Sequence, residues 1–341
     1  MTDRTNHQVR LAARPHGEPK PGDWAHTSEP VPEPADGELL VRLSHLSLDP
    51  AMRGWMNEGR SYIPPVEVND VMRAAGIGEV VASRHPKFSV GDHVSGVFGV
   101  QEYAISDGRG VLAVDLSQVP APTYLSALGL TGMTAYFGLF DVGAFSDGET
   151  VLVSGAAGAV GNMVGQLARL KGGTVVGIAG GPEKCRWLTE EMGFDAALDY
   201  REKGLGRRLH QAVPDGVDVF FDNVGGPVLD AGLGALRRGA RVVICGAISQ
   251  YNNLDRPVGP ANYLRLLVER ARMEGFVIFD YQPRYPEAQS QIAEWLRAGE
   301  ITSKEHVVHG GVHDFPDTLL KLFRGENTGK LVLALGSEES A

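Results

Sequence analysis

Between Glu38 and Leu48 the chain reads ELLVRLSHLSL, apolar and polar positions alternating as in a half-buried strand. The turn cluster PEPADGE precedes it. AAGIGEVVAS and VGDHVSGVFGVQEYAIS follow as short strands punctuated by glycine. Long helical periodicity is missing up to about residue 125, which predicts a β-rich domain. Near Thr123 the pattern changes: TYLSALGLTGMTAYFGLFDVGA has small and apolar residues at helical spacing. From Thr150 onward nearly all-apolar strands alternate with helices. The strands are TVLVSG, TVVGIAG, DAALDY, VDVFFDNVG, ARVVICGAI and EGFVIFD, and the helices include NMVGQLARLKG, EKCRWLTEEMG and PVLDAGLGALRRG. Such alternation predicts a parallel sheet covered by helices on both faces. The tail breaks this rhythm. HVVHGG reads as a strand, FPDTLLKLFRGEN as a helix and GKLVLAL as a last strand, and the three could return to the first domain.

Composition narrows the class. A chain of 341 residues suffices for two domains and a large core without disulfide or metal staples. A net charge of -10 and the lack of a long basic stripe exclude a general nucleic-acid binder. Two cysteines, Cys185 and Cys245, cannot build a disulfide framework and suit a reducing compartment. The N-terminus MTDRTNHQVRLAARPHGEP has no apolar signal core, and no run has the length of a membrane span. The expectation is a cytoplasmic protein with no membrane partner.

The chemistry starts at VLVSGAAGAVG, Val151 to Gly161. The first parallel strand ends at Ser154, a loop of small residues runs to Gly161, and a helix is expected from Asn162. A helix N-terminus offers N–H groups and partial positive charge, so a pyrophosphate can sit there if no side chain blocks it. Gly158 would allow close approach and Gly161 close helix packing, although the first glycine of the G-x-G-x-x-G spacing falls on Ala156. The strand–loop–helix context supports dinucleotide binding. NAD sites place an acid at the end of the second strand for the ribose 2′-hydroxyl. Here Ala179-Gly180-Gly181 stands in its place. Pro182 suits the first helical position, which puts Lys184 at about the third. A cation there opposes the helix dipole by a few tenths of a kcal/mol or more, which makes sense if a phosphate sits on it. The expected cofactor is therefore NADPH/NADP+.

No zinc motif is present. The sole cluster, His306, His309 and His313, would point its first two members to opposite strand faces, so exposed histidines and no metal are expected.

SLDPAMRG, GLTGMTAYFGL, VSGAAGAVGNMVGQLA, FDNVGG, CGAISQYN and GENTGKLV together resemble the medium-chain dehydrogenase/reductase superfamily. More narrowly they resemble its zinc-free prostaglandin reductase / alkenal–enone oxidoreductase group. The resemblance runs in order along nearly the whole chain. It implies an α/β protein: a Rossmann doubly wound parallel sheet over 131–304, and a β-rich GroES-like substrate domain from 1–130 and 305–341, with the cofactor in the cleft. Zinc relatives carry a His-Glu pair where this chain has Met72-Arg73. Carried over by motif, Ala157, Gly158, Ala159 and Val160 would line the pyrophosphate, Lys184 would bind the 2′-phosphate, and Tyr200 would lie by the adenosine end. Thr134, Asn223 and Asn327 would touch the cofactor. Cys245, Gly246, Ala247, Ile248, Ser249 and Tyr251 would flank the nicotinamide half, as would Phe276, Val277 and Ile278. Ordinary readings stand beside these: Tyr200 capping a strand, Asn223 and Asn327 as turn residues, Thr134 bonded within its own helix.

The activity implied is reduction of the C=C bond of an α,β-unsaturated ketone or aldehyde by NADPH. Tyr251 is the candidate donor to the enolate oxygen, since a phenol stays protonated at neutral pH. Met52 and Tyr62, in DPAMRGWMNEGRSYIPP, are candidates for the substrate site. Cys245, among apolar residues, reads as a buried inert thiol. A quinone reductase on the same fold and a non-catalytic NADPH-binding protein are the alternatives. A homodimer joined through the last strands of the parallel sheet is also expected.

Overall fold

The computed structural model describes residues 4–253 and 258–336. The chain divides into two compact units, Met1–Leu125 with Glu305–Ala341, and Ser126–Lys304.

The first unit holds β1 (Thr5–Leu11), β2 (Trp24–Pro30), β3 (Leu39–Ser47), α1 (Ala51–Trp55), β4 (Ala75–Ser83), β5 (His93–Val97), β6 (Tyr103–Ser106), β7 (Leu112–Ala113) and α2 (Ala121–Leu125). The tail adds β14 (Glu305–Gly310), α10 (Phe315–Arg324) and β15 (Lys330–Leu335). β1 and β2 form an antiparallel pair. The larger sheet runs β14-β15-β3-β4-β5-β7, with β6 also on β3. β15 pairs antiparallel with β3, so the tail completes the N-terminal sheet. The alternation read in ELLVRLSHLSL has a physical basis: Leu39, Val41 and Leu43 are buried, whereas Arg42 is exposed and reaches Glu79 on β4. Met52, Met56 and Met72 join Leu39, Leu46 and Phe315 in this core.

The second unit holds α3 (Leu130–Phe137), β8 (Thr150–Ser154), α4 (Ala159–Leu170), β9 (Thr174–Ala179), α5 (Pro182–Glu190), β10 (Ala196–Asp199), α6 (Leu205–Ala212), β11 (Val217–Asp222), α7 (Gly226–Gly234), β12 (Leu236–Ile244), α8 (Leu264–Glu269), β13 (Arg272–Gly275) and α9 (Tyr285–Arg297). All strand pairs are parallel. The order is β10-β9-β8-β11-β12-β13, the doubly wound Rossmann order 3-2-1-4-5-6. Every residue of β11 is buried, as expected of a strand covered on both faces. Among the described residues, no helix is long and apolar enough to cross a membrane.

Two sequence expectations need correction. The helix expected from Asn162 begins at Ala159, because Gly158 already takes the extended N-cap conformation. The strand read in EGFVIFD is β13, Arg272–Gly275, and residues 278–284 instead form a 3-10 turn. Aromatic packing draws that segment off the sheet. Phe276 lies edge-on to Phe221 at 6.4 Å, and Tyr281 stacks on Phe137 at 4.7 Å.

Candidate cofactor and active site

In an open α/β sheet, ligands bind beyond the carboxyl ends of the strands where the strand order reverses. Here that point lies between β8 and β11. Gly155 follows β8 with φ +59, a left-handed conformation that glycine adopts without strain. It makes the tight turn expected of the residue one place further on, so Ala156 is tolerated there: its side chain is buried and its N–H bonds Ile178 O. A Cβ on Gly161 would stand 2.4 Å from Gly155 O, so α4 meets the loop at the closest possible distance. The first-turn N–H groups of α4, those of Ala159, Val160 and Gly161, have no intrahelical acceptors. Ala157 is buried, and Gly158, Ala159 and Val160 are half-buried.

The β11 end is locked to this loop. Ser154 Oγ donates to Asp222 Oδ1 (2.6 Å), Asn223 N–H donates to Ser154 Oγ (2.9 Å), and Asn223 Nδ2 donates to Ser154 O (2.8 Å). Burial pushes the Asp222 carboxyl up, opposed by hydrogen bonds from Ser154, Val224 and Gly225. The loop after β12 is laced onto the same place. Cys245 N–H bonds Asp222 O, Ile248 N–H bonds Asn223 O and Ser249 N–H bonds Val224 O. Tyr251 curls back so that its hydroxyl accepts Ala247 N–H at 3.2 Å. A phenol oxygen accepts and donates at once, so this bond is compatible with donation to a substrate. Burial pushes the Cys245 thiol up to about 12, which makes it unreactive at neutral pH.

At the neighbouring β9 end, α5 starts at Pro182 and Lys184 is its third residue. Lys184 is half-buried, and burial, then the adjacent Arg201, lower its pKa. The Tyr200 ring covers Gly180, where a Cβ would stand 2.9 Å from the ring. Arg201 sits over the Tyr200 ring at 5.9 Å, with Nη1 3.4 Å from the place of a Gly181 Cβ. Sequence reading missed Arg201, and its one signal is its place beside Tyr200.

The remaining candidates are more scattered. Thr134 lies on α3 and its hydroxyl donates to Leu130 O, the intrahelical bond expected of its ordinary reading. The Phe276 ring is taken up by the aromatic cluster, with Val277 and Ile278 half-buried behind it. Met52, Tyr62 and Asn327 belong to the first unit. Asn327 is buried and its Nδ2 donates to Gly329 O within its turn. Met52 is a correction: it is wholly buried in the first unit's core and presents no surface to a substrate. As the second residue of α1 it faces inward, where apolar burial is most favourable. Tyr62 is 54% exposed and accepts a hydrogen bond from Trp55 Nε1 at 3.3 Å.

A glycine turn and a helix N-terminus at the switch point of a doubly wound sheet are the arrangement of a dinucleotide-binding α/β protein. The comparisons fit this class. Residues 7–114 match a family described as N-terminal domain of oxidoreductase, and residues 159–294 match one described as zinc-binding dehydrogenase. The chain is 40% identical to the NADPH-dependent curcumin reductase of Escherichia coli, covering 98% of each. It is 39% identical to the NADP(+)-dependent 2-alkenal reductase of Nicotiana tabacum, again over 98% of each. The structure of CurA in complex with NADPH from Vibrio vulnificus matches with a TM-score of 0.92 at 42% identity, covering 97% of this chain and 99% of that one. The chain belongs to the medium-chain dehydrogenase/reductase superfamily. The zinc in the second family's description does not fit the residues present. Met72 is buried in the core and Arg73 is a cation, and among the described residues no three His, Cys, Asp or Glu side chains converge to hold a metal. His306, His309 and His313 do not converge either. His313 turns instead to His26, with the two Nδ1 atoms 2.9 Å apart.

Proposed function

We propose that this NADP-dependent oxidoreductase reduces the C=C bond of α,β-unsaturated ketones or aldehydes, without zinc. The observation that carries the reading is the convergence of three strand ends. The glycine loop after β8, Asn223 after β11 and Tyr251 after β12 are hydrogen-bonded into one surface at the switch point. When bound, NADPH supplies the hydride, which a conjugated β-carbon accepts well. The loop at 157–160 holds the pyrophosphate through the N–H groups of α4. Lys184 and Arg201 hold the 2′-phosphate, where a carboxylate would have repelled it. Asn223 orients the nicotinamide half with its Oδ1, its Nδ2 being bonded to Ser154 O. As charge develops on the substrate carbonyl, the Tyr251 hydroxyl donates a hydrogen bond to that oxygen and lowers the barrier. Names of relatives that act on 2-alkenals and curcumin support this substrate class.

The chain acts as a homodimer in the cytoplasm on this reading. Among the described residues β13 pairs with β12 alone, its Met273 is exposed, and Tyr263, Leu264 and Leu267, at and in α8, are exposed as well. A second copy would cover that edge and that apolar surface. A monomer by sedimentation equilibrium would remove this part.

Absorbance at 340 nm with NADPH, then NADH, against a simple enone, an alkenal and a quinone tests the reading. Fast NADPH oxidation by the enone or alkenal is the expected result. Turnover of the quinone alone, or silence on every acceptor despite NADPH binding, would overturn it. Tyr251→Phe should lower kcat by about 10- to 1000-fold without abolishing turnover.

A further inference from the structure

Strand β11 carries an acid near each end, and among the described residues these two, Asp218 and Asp222, are the buried acids of the molecule. Asp218 has a counter-charge: its Oδ2 lies 3.2 Å from Arg237 Nη1 and also accepts Thr150 N–H. Asp222 ends the strand at the crevice, is 0% exposed and forms no ion pair among the described residues. Its side-chain partners there are all donors. Ser154 Oγ, which accepts Asn223 N–H, gives its own proton to Oδ1 at 2.6 Å. Val224 N–H reaches Oδ1 at 3.3 Å, and Gly225 N–H reaches Oδ2 at 2.9 Å. A neutral carboxyl would need an acceptor for its proton, so this arrangement suits the carboxylate. The N-terminus of α7 at Gly226 adds a partial positive charge, which offsets only part of a full negative one. The side chains beside it, Asn223 and the protonated Cys245, are neutral. Burying an ion without a counter-ion is costly, so a counter-charge is expected at this end of the strand as at the other.

We propose that the Asp222 carboxylate is the fixed counter-charge for the oxidised nicotinamide ring: it stabilises NADP+ over NADPH in the site, and with it the positive charge that grows as hydride leaves. This rests on the cofactor placement of the reading above. There the 2′-phosphate is held after β9 and the pyrophosphate after β8, so the nicotinamide half falls on the β11–β12 side of the switch point. NADP+ carries a positive nicotinamide ring and NADPH a neutral one, and the two are otherwise alike. A fixed negative charge shielded from water therefore acts on one form and not on the other. Ser154 and two backbone N–H groups already hold the carboxylate in place, so it need not reorient as charge develops. Asp218, paired with Arg237 near the other end of the strand, supplies no such net charge.

The test reads the Kd of NADPH divided by the Kd of NADP+ for the whole protein, by calorimetry and without substrate. Asp222→Asn removes the charge and nearly keeps the shape. It should lower that ratio about fivefold or more, the scale of one unit charge acting through a partly screened interior. Ser154→Ala disturbs the same hydrogen bonds and leaves the charge, so its ratio should stay at the wild-type value. An unchanged ratio in Asp222→Asn overturns the proposal even if both affinities fall together, since that is the mark of a role in shape alone. An equal shift in Ser154→Ala overturns it as well. If Asp222→Asn fails to fold, Asp222→Ser, neutral and smaller, takes its place. If that fails too, the wild type decides: NADP+ bound more than about tenfold more weakly than NADPH overturns the proposal, and a smaller gap or a preference for NADP+ sustains it. Absence of enone reduction at 340 nm would overturn the substrate reading and leave this ratio untouched. A wild type that binds neither nicotinamide would overturn the cofactor placement and the counter-charge with it.

Discussion

The ends of β8 and β9 are neighbours in one sheet, yet they are built in opposite ways. The β8 end is made of backbone. Gly155, Gly158 and Gly161 bring main chain against main chain, and on the proposed reading the N–H groups of α4 provide the binding surface. The β9 end is made of side chains: Lys184 on α5, and Tyr200 and Arg201 arriving from the end of β10 over Gly180 and Gly181. A pyrophosphate is common to every dinucleotide, so the first site needs shape alone. The 2′-phosphate is what separates NADPH from NADH, so the second needs charge. Position-by-position tolerance should differ accordingly: at β8 any added atom harms, whereas at β9 the loss of a charge harms.

The sharpest test of the contrast is bulk at the first site. Gly161→Val puts carbon where Gly155 O stands 2.4 Å away, and the backbone must move. Displacement on the ångström scale is expected to cost about 100-fold in kcat/KM. The loss should be equal for NADPH and NADH, and thermal melting should fall with it. A loss confined to NADPH would break the comparison.

Charge at the second site comes next. Lys184→Ala should weaken NADPH binding by about 10- to 100-fold, as expected for a charged hydrogen bond, and leave NADH unchanged. Arg201→Ala should do the same on a smaller scale, about fivefold at most, because it is exposed and water screens it. Fluorescence titration with both nicotinamides reads both variants. An equal loss for NADH in either would show that the β9 end acts by shape as well.

The smallest effect is on pH. Burial and the proximity of Arg201 lower the Lys184 pKa, so it loses its proton at a lower pH than an ordinary lysine. On the proposed reading the charged form is the one that binds the 2′-phosphate. NADPH affinity should therefore weaken as pH rises through the alkaline range, earlier than an unperturbed lysine would allow, while NADH affinity stays flat. Removal of this limb in Lys184→Ala assigns it to that residue.

The same two strand ends show why some of the site was legible and some was not. Small residues at fixed spacing after an apolar strand announce a close approach of main chain, and Gly155 to Gly161 could be read as such. The place of the turn was missed, because the G-x-G-x-x-G spacing points to position 156, whereas the positive φ falls on Gly155, where glycine meets no strain. The place of Lys184 in the first turn of α5 was legible through Pro182. Arg201 was not, since only the return of β10 beside β9 brings it to Gly181. Met52 misled for a related reason: an apolar residue in a functional-looking loop has the same letter whether it faces a ligand or the core, and the fold turned it inward.

The sequence by itself determined the alternation of strands and helices, the glycine loop, the lack of an acid after β9 and the excess of negative charge. All of these depend on neighbours along the chain, where periodicity and local backbone preference act. Only the tertiary structure decided the start of α4 at Ala159, the departure of residues 276–284 from the sheet, the tie of Asn223 to Ser154, and the bond from Ser154 to Asp222. Each of these rests on atoms distant in sequence whose contact strands, turns and aromatic packing bring about, and no local pattern records it.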